Sequence, residues 1–170
     1  MKALLICFFA CIFSLQLFAQ THNMELSSEN QNSKWRDLKR EGKYSEAITC
    51  LKKEFKVVSN RRQKHDVYWH IGQMHAFNNN YDSALVYIRK STSWLTFLVD
   101  RQFYWYYRGT IAFLKRDREK LKRYHLKLWS NKNGYYRKNA LMLKAMYDYF
   151  EKSYEEIYGT VSVFHILQSD

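Results

Sequence analysis

A short phrase recurs along this chain at a fixed distance, and that recurrence constrains the fold more than any other feature. Gly42, Tyr44 and Ala47 form its first occurrence, and Tyr81 and Ala84 stand 37 residues further on. Leu121 follows Ala84 by another 37, and Ile157 follows Leu121 by 36. Gly72 and Gly109, in the stretches ahead of these turns, keep the same interval. Self-similarity at a period of roughly 20–50 residues marks units that each bury a face against the next. None of the 170 residues is proline, where average usage would supply about eight. Loop-rich β folds place proline in their turns, and disordered chains are rich in it and poor in aromatics. With 18% aromatic residues, this chain is neither. The expectation is an all-α domain with one sizeable core.

Each unit reads as two antiparallel helices joined by a short turn. The pairs are 31–42 with 45–58, 62–78 with 81–95, 98–115 with 117–130, and 136–151 with 154–166. Ser45 is the expected N-cap of the second helix, and Asp82 or Asn80 that of the fourth, because short polar side chains accept from the open N–H groups of a first turn. Asn133 and Gly134 mark a turn before the last pair. Glycine inside a helix costs about 1 kcal/mol against alanine. Two at one phase, Gly72 and Gly109, predict helix contacts too close for a side chain.

The N-terminus follows a different logic. Lys2 precedes an apolar run over residues 3–18, closed by Ala19 and a polar stretch. That run is short of the roughly 20 residues a membrane span needs, and it has the layout of a secretory signal peptide. Residues 1–20 are therefore read as a signal peptide cut after Ala19 or Gln20, with lipidation at Cys11 as a variant. Residues 21–30 are read as a flexible lead-in and residues 31–170 as the helical-repeat domain. Removal of the leader leaves Cys50 as the sole cysteine and lowers the formal charge from +12 to +11. An exported chain without a disulfide must be held by packing.

Period, helix-turn-helix unit and residue phrase together resemble the tetratricopeptide repeat family. The matches are Gly42, Tyr44 and Ala47 in the first unit, and Tyr68, Ile71, Gly72, Tyr81 and Ala84 in the second. The third unit supplies Trp105 and Gly109 but has Arg118 at the turn-tyrosine position; the fourth keeps Tyr154. The spacing is 36–37 rather than the family's usual 34, and the proline that often ends its second helix is missing. The resemblance implies a helical-hairpin solenoid of three to four pairs, whose first helices line a concave groove for a peptide or partner helix.

On that reading Asp66, Trp69, Gln73 and Phe77 form one stripe of the groove and Phe103, Tyr106, Thr110 and Phe113 the next. Arg36, Lys39 and Arg40 give it a basic entrance, and Met142 and Met146 extend the wall. Partner-binding candidates are Arg36, Lys39, Arg40, Trp69, Gln73, Tyr106 and Thr110, with Trp69 and Tyr106 as anchors for a protein or peptide partner of acidic character. A second surface is set by charge. From Arg108 to Lys138 there are 11 basic residues against Asp117 and Glu119. Lys115, Arg118, Lys122 and Arg123 are candidates for contact with an anionic envelope surface; an exported chain does not meet nucleic acid.

Catalytic and metal constellations are missing from the pattern. His65, His70 and His75 step by five residues, about 140° around a helix, so consecutive ones do not share a face. No nucleophile elbow or phosphate loop appears, and no cofactor is implied. The expected role is a non-catalytic scaffold of the bacterial envelope, periplasmic or outer-membrane-associated. The alternatives are the periplasmic sensory half of a signalling protein, truncated or stand-alone, and a surface binder of anionic polymers.

Overall fold

The computed structural model describes residues 34–159, apart from 94, 95, 132 and 133, and these residues form helices with no strand among them. In chain order they are α1 (34–40), α2 (Tyr44–Val57), α3 (Arg61–Phe77), α4 (Tyr81–Lys90), α5 (Thr96–Val99), α6 (Arg101–Leu114), α7 (Arg118–Asn131), α8 (Arg137–Asp148) and α9 (Tyr154–Gly159). Sequence neighbours are neighbours in space: α2 packs on α3, α3 on α4, α6 on α7 and α7 on α8. Among the described residues α4 also meets α6 and α6 meets α8, and the contact that spans the most chain is the return of α9 to α3. The expected leader and lead-in, 1–30, lie outside the described residues, as does 160–166 of the last expected helix. Among the described residues no helix is long and apolar enough to cross a membrane.

The sequence period is written into the backbone of the turns. Gly42, Asn79 and Arg116 stand 37 residues apart, and each has a left-handed φ, of 72°, 54° and 55°. Around them the same two hydrogen bonds recur. Lys43, Asn80 and Asp117 donate N–H to the carbonyls of Leu38, His75 and Ala112, at 2.8, 2.9 and 2.9 Å. Gly42, Asn79 and Arg116 donate to Lys39, Ala76 and Phe113 at 3.1, 3.1 and 2.9 Å. This is the Schellman closure, which satisfies carbonyls left open at a helix end. Glycine and asparagine tolerate the left-handed region; arginine there is strained. Arg116 is held from outside the turn: its guanidinium donates to the carbonyls of Phe150 and Lys152 and lies over Phe113, 5.0 Å from the ring centre.

Two expectations about helix ends need correction. Ser45 is not a cap: α2 begins at Tyr44, after Lys43, with no side-chain capping bond, because the preceding left-handed turn already sets the start. In the next pair Asn80 caps α4 through the Ser83 N–H, and Asp82 lies within the first turn. Nor does α4 run to 95. It stops at Lys90, where the buried Ser91 turns its hydroxyl back on the Ile88 carbonyl at 2.7 Å and its own carbonyl accepts from His65 Nδ1 at 2.8 Å. The short α5 follows, and Asp100 caps α6 through the Phe103 N–H.

Both internal glycines mark close approaches, of different kinds. A Cβ on Gly72 would lie 2.5 Å from Ile88 Cγ1 and 3.0 Å from the Ile88 backbone nitrogen, so α3 and α4 touch backbone to backbone there. A Cβ on Gly109 would meet only the Leu143 side chain, at 2.6 Å. Around these contacts Leu51, Ile71, Met74, Ile88, Phe113, Leu121, Leu143 and Met146 are fully buried. Burying a side chain of this size stabilises by about 1.5–3 kcal/mol.

Candidate functional site

Of the two expected stripes, Trp69 of α3 lies against Phe103 and Tyr106 of α6. The Trp69 ring meets Tyr106 at 5.6 Å and Phe103 edge-on at 5.7 Å. This wall is not open, however. Trp69 is 9% exposed, Tyr106 6% and Thr110 0%, the last with its hydroxyl on the Tyr106 carbonyl. The expectation that Trp69 and Tyr106 stand as accessible anchors is corrected: they are interior residues, and Met142 and Met146 are buried with them.

What covers part of this face is the chain's own last described helix. Tyr154 and Tyr158 of α9 both set ring edges against Phe77, at 5.1 and 5.2 Å, and Tyr154 also meets Phe113 at 6.3 Å. Their hydroxyls complete a buried polar chain. Tyr106 and Tyr158 share a hydrogen bond of 2.8 Å, Tyr154 donates to Tyr158 at 3.1 Å, and Gln73 Nε2 reaches Tyr154 at 3.4 Å. Gln73 Oε1 in turn meets His70 Nδ1 at 3.2 Å. The turn tyrosines that carry the repeat phrase also reach this helix. Tyr44 donates to Glu155 at 2.7 Å, and the Tyr81 hydroxyl accepts from the Tyr154 N–H at 3.0 Å. A capping box starts α9: Glu156 accepts from the Ser153 N–H at 2.7 Å while the Ser153 hydroxyl accepts from Glu156 at 3.2 Å.

Burial disfavours the ionised form of four tyrosines and of His70 in this cluster. Burial first, then neighbouring tyrosines, raise the Tyr154 and Tyr158 phenols well above their ordinary value. Burial raises Tyr106 as well, against the opposing hydrogen bonds from Tyr158 and Thr110. Tyr44 is pushed up to about 12 by burial and by its bond to Glu155. Burial lowers His70, so that ring stays neutral at physiological pH. Donors and acceptors this well paired hold elements together.

The three residues expected at a basic entrance differ in character. Lys39 is half-buried with its ammonium 4.7 Å from the centre of the Phe77 ring and 6.0 Å from that of Tyr158, and burial lowers its pKa. Arg36 is exposed and stacks over Trp35 at 4.6 Å. Arg40 is exposed and paired with Asp37.

The second surface is open. Lys115, Arg118, Lys122 and Arg123 are all exposed. Arg118, where the repeat phrase would have a tyrosine, instead lies over the Tyr147 and Phe150 rings at 5.2 and 5.5 Å. Lys120 pairs with Asp117 at 2.5 Å. Behind this face Leu121, His125 and Leu128 form the buried row of α7. The feature that sequence reasoning missed is α9 as a cover for the inward face. Ser153 and Glu156 carry the capping signal for its start, but no local pattern says where it docks.

Comparison of the chain with protein-family models, with curated proteins and with solved structures finds no match. The likeness to tetratricopeptide repeats rests on the residues that carry it.

Proposed function

We propose that the protein is a non-catalytic interaction module of the bacterial envelope, a helical-hairpin solenoid whose inward face receives a partner's helix. The observation that carries this reading is that the face already receives a helix. Residues of α1, α3, α4 and α6, together with the start of α2, converge on α9 through two tyrosine rings, three hydroxyl contacts and one carboxylate. A partner segment with aromatics at i and i+4 and an acidic residue between them has the chemistry of this occupant. Lys39, Gln73 and Tyr106 are then contact residues on displacement of α9, with Arg36 and Arg40 at the margin. Export follows from the apolar run at 3–18, and the envelope is its destination.

The test uses the full chain carrying Tyr154→Ala and Tyr158→Ala, and a synthetic peptide of residues 150–160. The variant is expected to bind the labelled peptide several-fold more tightly than the unaltered chain, whose own helix competes. If the variant keeps its helical circular dichroism and ignores the peptide, the reading fails. If the variant unfolds, α9 belongs to the core and is no replaceable occupant, and the reading fails equally.

A further inference from the structure

The outer face of α7 carries a second pattern that the inward face does not explain. Its residues fall into three parallel rows at i, i+4 and i+7 spacing. Leu121, His125 and Leu128 are buried. Lys122, Leu126 and Trp129 form the next row, and Arg123, Lys127 and Ser130 the one after, and all six are exposed. Leu126 is 50% exposed and Trp129 36%. Just beyond the helix Tyr135 is 84% exposed, followed by exposed Arg137 and Lys138. Trp129 and Leu126 are thus presented among Lys122, Arg123 and Lys127, with Tyr135, Arg137 and Lys138 exposed shortly after the helix. The one acid on the exposed surface of this helix is Glu119, near its start; Asp117 pairs with Lys120.

We propose that this face docks on a bilayer surface rich in anionic phospholipid. Charge complementarity selects the partner: residues 108–138 hold 11 basic and two acidic residues, three quarters of the chain's net charge of +12. Apolar side chains inside the basic field select a bilayer over a polyanion in water. Lysine and arginine meet lipid phosphates, tryptophan and tyrosine settle at headgroup depth, and a leucine reaches the acyl boundary. A soluble polyanion repays the charges and gains nothing from Leu126. The face lies along the helix surface, so the docked helix rests in the membrane plane.

Sedimentation with vesicles of phosphatidylcholine, with and without about one third phosphatidylglycerol, tests this on the full chain. The difference between the two vesicles is read, so binding contributed by the apolar run at 3–18 cancels. Anionic vesicles are expected to bind at least tenfold more tightly, and Lys122→Glu with Arg123→Glu to abolish that difference. Leu126→Gln is expected to weaken anionic-vesicle binding several-fold while leaving binding to inorganic polyphosphate unchanged. Equal binding to both vesicles overturns the proposal. So does a Leu126→Gln chain that binds anionic vesicles as the unaltered chain does, since the face then reads charge alone. Each substituted side chain is exposed, and circular dichroism confirms that the fold is kept.

Discussion

The inward face of α3 and α6 and the outward face of α7 are both rich in aromatic and polar side chains, yet their physics is opposite. On the inward face polar atoms are buried and paired: Gln73, Tyr106, Tyr154 and Tyr158 form one chain of hydrogen bonds. On the outward face Lys122, Arg123 and Leu126 project into solvent. A buried hydroxyl left without its partner costs about 1–3 kcal/mol, whereas an exposed substitution away from special features shifts stability by about 0.5 kcal/mol or less. The same residue types therefore hold the chain's own helix on one side and stand open to solvent on the other. Abundance of aromatics says nothing by itself about binding; what covers them does.

The sharpest way to break this contrast is to truncate one side chain on each face. Tyr154→Ala removes a fully buried ring and its hydroxyl contacts, and should lower unfolding free energy by about 3–5 kcal/mol. Leu126→Ala should change it by about 0.5 kcal/mol or less. Urea denaturation of both variants checks the pair; comparable losses would mean that α9 is a loose appendage and the inward face is not sealed.

A smaller effect separates the two internal glycines. Gly72→Ala forces a methyl against the Ile88 backbone, which cannot move without shifting α4, and should cost about 1–3 kcal/mol. Gly109→Ala presses only on the Leu143 side chain, and the gain of about 1 kcal/mol in helix propensity offsets much of the clash. Thermal midpoints of the two variants should therefore differ, with the Gly72 variant lower.

The smallest effect is a pH dependence. Burial lowers His70, His75 and His125. In the unfolded chain each regains a value of about 6.5, so as pH falls below that the unfolded state takes up protons first. Stability is then full above about pH 6.5 and declines as pH falls through the folded values. The thermal midpoint should drop between about pH 7 and pH 5, and His70→Gln should flatten part of that slope. A midpoint that rises on acidification would contradict the burial of these rings.

Much of the fold was legible because it is local. The 37-residue interval between Tyr44 and Tyr81 placed the turns, and the structure repeats that interval in the left-handed residues Gly42, Asn79 and Arg116. Gly72 announced a close contact through its misfit with helix propensity. Ser45 misled because a serine near a helix start suggests a cap, while the hydrogen bonds of the preceding turn had already placed that start one residue earlier. The docking of α9 was not legible at all. Tyr44 and Glu155 are 111 residues apart, and their meeting depends on how the helices pack on one another, which the period does not encode. Helical spacing likewise put Trp69 and Tyr106 on one face without telling whether another element lies over it.

The left-handed turns carry one more consequence, for where this chain tolerates changes of length. From Tyr44 to Phe77 and from Tyr81 to Leu114 the path between turns is 34 residues in each case, divided differently. The first interval joins helices of 14 and 17 residues by a three-residue link; the second joins helices of 10 and 14 residues by a longer link that contains α5. Helix length is traded against link length while the contour between turns is kept. An inserted residue at 58–60 falls in a link of three residues whose two ends are both fixed, Val58 donating to the Glu54 carbonyl and Asn60 capping α3. The same insertion between Ser91 and Asp100 lengthens a segment that already serves as the compensator.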